Sequence, residues 1–155
     1  MRCGGPPTPA AGQLLTFRLH GRDHALPVED VVEVLRMVAP TPLPDAPSWI
    51  SGVINVRGRV IPLMDLRTRL GGPRIEPDVS TPIIVVEADH TAAGLVVDEV
   101  VEVLALSCDA VSRPGPLTSA ATAVSGVARD GDRLILVLDC GCLCRGTADL
   151  PSFRR

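Results

Sequence analysis

Leu26-Pro27-Val28-Glu29-Asp30-Val31-Val32-Glu33-Val34-Leu35 returns 69 residues later as Leu95-Val96-Val97-Asp98-Glu99-Val100-Val101-Glu102-Val103-Leu104. Seven of the ten positions are identical, and two more exchange Glu with Asp. A second match follows at an offset of 74: Ser51-Gly52-Val53 returns as Ser125-Gly126-Val127, and Arg59, Ile61 and Asp65 return as Arg133, Ile135 and Asp139. The order of segments is the same in both halves, so the chain carries a duplicated unit.

Each unit reads as short strands. Leu15, Phe17 and Leu19 alternate with Thr16, Arg18 and His20, the pattern of a half-buried strand. A turn at His20 to Asp23 leads to a strand over His24–Pro27. One helical turn over Val28–Val31 precedes a strand over Val32–Val38. Pro40, Pro42, Pro44 and Pro47 then impose an extended loop. Val53–Val56 and Val60–Met64 flank an Arg57-Gly58 turn, and Asp65 caps a short helix over Leu66–Leu70. The second unit repeats the plan, with strands at Ile83–Val86, Ala93–Val97, Val101–Leu106, Val124–Arg129 and Arg133–Leu138, and turns at Asp89-His90-Thr91 and Asp130-Gly131.

Five short strands per unit favour closure, because closure removes exposed strand edges. The expected fold is all-β with short helices: two intertwined or packed five-stranded small barrels. The expected division is a disordered lead-in at residues 1–12, a first barrel at 13–71 and a linker at 72–80. A second barrel at 81–139 and a Cys-rich tail or short helix at 140–155 complete it. A unit of about 65 residues is marginal alone, so the contact between the barrels should be apolar.

Composition narrows the function. The chain has 155 residues, a net charge of −3, and only Phe17, Phe153 and Trp49 as aromatics. Lysine is absent and the arginines are scattered, so no basic, aromatic-lined face is available for nucleic acid. No apolar run is long enough for a membrane span, and no secretory leader is evident, so a cytoplasmic protein is expected. Its five cysteines are then expected to be reduced.

Enzyme chemistry finds no constellation. His20, His24 and His90 fall near turns and read as solvated loop residues. The Glu29-Asp30 and Asp98-Glu99 pairs duplicate each other, which suits a structural turn. Cys140, Cys142 and Cys144 could hold a soft metal or sense redox state, but their spacing is not that of common zinc sites. Cys is also a small residue that buries well. No cofactor is expected.

Val53 to Arg67, with its Asn55-Val56-Arg57-Gly58 turn, Ile61-Pro62 and Asp65-Leu66-Arg67, resembles the central signature of the CheW family of chemotaxis coupling proteins. Leu26–Glu33 and Gly94–Asp98 resemble two further family segments, so the resemblance covers Gln13 to Leu138. It departs from the family at Cys140–Cys144, where the last helix usually carries leucine and charge.

The resemblance implies two five-stranded barrels and a non-catalytic adaptor. Its implied partners are the regulatory domain of a CheA-type histidine kinase and the cytoplasmic tip of methyl-accepting receptors. That places the protein in the cytoplasm, recruited to receptor arrays without entering the membrane. Carried over by position, Val31, Glu33 and Arg57 would meet the kinase, and Gly94, Val100 and Val103 would line the receptor site. Arg57 on its own terms either reaches a partner's carboxylate or pairs with Glu33 within the chain. Val100 and Val103 on their own terms read as core valines of a strand. The same module in a gliding or pilus pathway is the alternative, and a thiol-based sensor is the more distant one.

Overall fold

The structure, a computed structural model, describes residues 12–74, 76–106, 111–112, 123–145 and 147. The first repeat supplies β1 (Gly12–Leu19), β2 (Arg22–Pro27), a 3-10 turn (Val28–Asp30), β3 (Val31–Arg36), β4 (Ile50–Val56), β5 (Arg59–Asp65) and the helix α1 (Leu66–Arg69). The second supplies β6 (Pro82–Ala88), β7 (Thr91–Val96), β8 (Glu99–Leu106), β9 (Val111–Ser112), β10 (Val124–Asp130), β11 (Arg133–Leu138) and α2 (Cys140–Arg145).

The strands form two sheets, in the orders β8-β1-β2-β11-β10-β9 and β3-β6-β7-β5-β4. They will be called sheet A and sheet B. The boundary at residues 72–80 separates the sequence repeats but not the sheets, because each sheet takes strands from both halves. The β1–β2 hairpin of the first repeat lies in sheet A, antiparallel to β8 and parallel to β11. Its counterpart, the β6–β7 hairpin, lies in sheet B, antiparallel to β3 and parallel to β5. Of the two arrangements expected, the intertwined one is observed.

The physical reason is visible at the crossovers. Val28–Asp30 carries the chain from sheet A to sheet B, and Val97-Asp98 carries it back. The duplicated acidic pairs stand at these two corners, which explains their repetition. Each sheet also curls back on itself. Beyond β3, Thr41 exchanges two backbone hydrogen bonds of 2.9 Å with Val53 of the opposite edge strand. Beyond β8, β9 pairs in the same way with β10.

Three apolar clusters follow from this geometry. Ile54, Ile61, Leu63, Ile83, Val85, Ala92 and Val96 fill the inside of sheet B. Leu14, Ala25, Ala128, Ile135 and Val137 fill the inside of sheet A. The largest cluster lies between the sheets and joins Phe17, Leu19 and Leu26 to Met64, Ile84 and Leu95. Burial of so much aliphatic surface, at about 25 cal/mol per Å², is what holds two small sheets as one body.

Of the expected Cys-rich tail or short helix, Cys140–Arg145 is a helix, and residues 148–155 lie outside the described residues. Asp139 accepts the Cys142 amide at 3.2 Å, and Cys140, Leu143 and Cys144 are buried in the central cluster. The helix therefore closes the second repeat as α1 closes the first. Two sequence expectations shift slightly. The last turn falls at Gly131-Asp132, because Asp130 still pairs with Arg133. His24 is no loop residue: it is buried in β2, stacked on Phe17 with centroids 5.9 Å apart. His20 and His90 do sit exposed in turns.

Candidate functional site

The edge strands β3 and β8 are the two copies of the repeated ten-residue segment, and they carry the candidate residues. Val34 and Val103 occupy equivalent positions, and both are exposed, at 45% and 51%. Val32 is exposed as well, at 55%. A bulge between Val31 and Glu33 turns these two side chains apart. Val31 packs against the cluster between the sheets, as its counterpart Val100 does.

Glu33 instead reaches the β4–β5 turn. Arg57 and Gly58 have φ angles of 53° and 85°, the left-handed conformation that a two-residue hairpin turn of this kind requires. Asn55 supports the turn by accepting the Gly58 amide at 2.9 Å. From there Arg57 Nε donates to Glu33 Oε2 at 2.9 Å and Nη2 donates to Oε1 at 3.1 Å. The fork holds the Glu33 carboxyl below its usual range and the guanidinium above its own. Arg57 nonetheless keeps 79% of its side chain exposed, so it can still meet a partner.

Gly94 is different from the other candidates. It is buried in β7, and a Cβ there would stand 3.1 Å from Ile83 and 3.2 Å from Leu63. Its contribution to any surface is indirect, by allowing the inside of sheet B to pack. Thus Glu33 and Arg57 are brought together, Val31 joins Val100 at the rim of the central cluster, and Gly94 lies beneath the surface.

The structure adds residues that sequence reasoning did not single out. Arg67 is buried and pairs with Asp65 at 3.1 Å and with Asp98 at 3.0 Å, tying α1 to the crossover into β8. Asp98 also accepts the His20 amide at 2.7 Å. The signal was present in the Asp65-Leu66-Arg67 motif, but only the fold brings Asp98 to it.

The cysteines divide. Cys140 and Cys144 are free and buried, and the hydrogen bond they share, together with burial, pushes the Cys140 thiol up. Cys142 is disulfide-bonded, against the expectation of reduced thiols. Among the described residues no three His, Cys, Asp or Glu side chains converge as metal ligands. None of the described helices is long and apolar enough to cross a membrane.

The CheW-like domain model matches residues 13–146, nearly the whole described chain and the Cys-rich helix with it. The chain belongs to the CheW-like domain family. A probable chemotaxis protein CheW of Rhizobium etli is 32% identical over 132 residues, 85% of this chain and 81% of that one. The protein PilI of Pseudomonas aeruginosa is 39% identical over 105 residues, 68% of this chain and 59% of that protein. The crystal structure of the scaffolding protein TtCheW from Thermoanaerobacter tengcongensis superposes with a TM-score of 0.78 at 35% identity. It covers 83% of this chain and 89% of that one. The fold is thus CheW-like over most of the chain.

Proposed function

We propose that this CheW-like chain is a non-catalytic adaptor that couples methyl-accepting chemotaxis receptors to a CheA-type histidine kinase. The observation that carries the residue assignment is the pair of equivalent edge strands. Each presents an exposed valine, Val34 or Val103, beside an ion-paired glutamate, Glu33 or Glu102. Two faces on one body are what a coupler needs.

The β3 face, with Glu33 and Arg57, is the kinase side, with Val31 supporting it from beneath. The β8 face, with Val100 and Val103, is the receptor side. Val100 lies where the two sheets meet, so an apolar stripe of a receptor helix would reach both Val100 and Val103. Gly94 acts through packing. The protein works in the cytoplasm and reaches the membrane only through its receptor.

The test is a binding assay with purified kinase regulatory domain and with a soluble receptor-tip hairpin. Binding to both supports the reading, and binding to neither overturns it. The similarity to PilI favours one second reading, the same adaptor in a pilus-type pathway. A preference for the kinase and receptor of such a pathway over flagellar ones would decide for it.

A further inference from the structure

The inside of sheet A ends in a set of charges that sheet B does not match. Glu99 on β8 meets Arg18 on β1, Nη1 to Oε1 at 3.7 Å. Arg18 Nε meets Asp23 on β2 at 3.2 Å. The other oxygen of Asp23 meets Arg133 Nε on β11 at 3.3 Å. Arg133 Nη1 then returns to β8, reaching Glu102 at 3.2 Å, with Asp130 at 3.5 Å beside it. The chain of ion pairs thus starts and finishes on β8. It spans both repeats, because β1 and β2 come from the first and β8 and β11 from the second.

At the corresponding end of sheet B the charges make two separate pairs, Arg57 with Glu33 and Arg59 with Glu87, and Arg57 itself has no charged counterpart, since Gly131 stands at its repeat position. The difference has a cause in the sequence. Arg59 is the counterpart of Arg133, but the counterpart of Arg18 is Glu87, so the sign is reversed on the first strand of the second repeat. Under the ring, Thr16 reinforces the same strand: its hydroxyl donates to the Glu102 carbonyl at 3.0 Å and accepts the Glu102 amide at 3.2 Å. This occurs where β8 bulges at Val101, between the Thr16–Glu102 and Phe17–Val100 pairings, and the regular ladder is interrupted.

We propose that Arg133 is a positioning residue that closes this ring and thereby holds the edge strand β8, with Val100 and Val103, in its docking geometry. Asp23 is the pivot, being largely buried and shared by both arginines. A guanidinium suits the closing position because it offers several donors in a fixed plane. The link to receptor docking rests on the assignment of the β8 face proposed above; the positioning of β8 does not.

The experiment is amide hydrogen exchange on the full chain, comparing Arg133→Gln, Arg133→Lys and the control Arg59→Gln. With Arg133→Gln, the β8 amides should exchange roughly three- to tenfold faster, as expected for loss of partly buried ion pairs, with the β3 amides unchanged. Lys should recover part of the protection, and Arg59→Gln should leave β8 alone. Affinity for the receptor-tip hairpin should fall by a similar factor while affinity for the kinase domain holds. Parent-like exchange in β8, or an equal rise in β3 and β8, overturns the proposal. Selective β8 loosening without any change in receptor affinity keeps the positioning role but removes the receptor from that face. If the Gln variant does not fold, the Lys variant is read at the same amides.

Discussion

Arg57 and Glu33 meet as a two-point fork across the mouth of sheet B, with the glutamate largely covered and the arginine largely open to solvent. The pair therefore does two things at once. It fixes the β4–β5 turn against the edge strand β3, and it leaves a guanidinium face available outside.

Reversing the charge separates these roles. Arg57→Glu should abolish pull-down of the kinase regulatory domain, because two carboxylates would then face each other at the surface. The melting temperature should hardly move, since the site is exposed and such pairs contribute little to stability. A large thermal shift would mean that the lost binding reports unfolding.

Gly52 should be intolerant of a side chain. Its φ is 144°, and an added Cβ would overlap the Thr41 carbonyl oxygen, where the loop beyond β3 pairs with β4. Gly52→Ala should cost about 2–4 kcal/mol, combining backbone strain with a steric clash. Urea unfolding measures this, and Gly58→Ala, whose added Cβ meets open space, should lose less.

His24 sets a pH dependence. Burial lowers its pKa below the ordinary 6.5, against smaller opposing effects from the Arg22 carbonyl and Asp23. The unfolded chain then takes up a proton that the folded one resists. Stability should be flat above the unfolded pKa and fall as pH drops from about 6.5 toward the lower folded value. Urea midpoints between pH 7.5 and 5.5 should show that slope in the parent, and a smaller one in His24→Leu.

The terminal helix makes a separate prediction. Leu143 is fully buried, and Leu143→Ala should cost about 2–5 kcal/mol, as for other core leucines. Cys140 and Cys144 should resist thiol reagents in the native protein and react once it is unfolded in denaturant. Rapid modification of both in the native state would show that α2 does not stay docked.

The duplication and its strands were legible because period-two alternation and turn residues are local properties. Leu15, Phe17 and Leu19 could be assigned to a buried face without knowing what covered them. Arg57 and Glu33 were legible as a pair because the β4–β5 turn and β3 each had a clear pattern. The exchange of hairpins was not legible: Leu26 reads the same whether β2 lies beside β5 or β11. His24 was misplaced because a turn composition on one side outweighed the strand on the other. The choice between a tail and a short helix at Cys140 stayed open because Cys140, Leu143 and Cys144 bury like leucines, while the cysteine type suggested chemistry.

The swapped hairpins make each repeat an incomplete object. A single half would leave β1 and β2 without β8 and β11, and β3 and β5 without β6 and β7. Two such halves, each lending its first hairpin to the other, are an exchanged homodimer written into one polypeptide. The stretch at residues 72–80 is then a tether between subunits and not a hinge between domains. Cut there, the two pieces would have to find each other before either could fold.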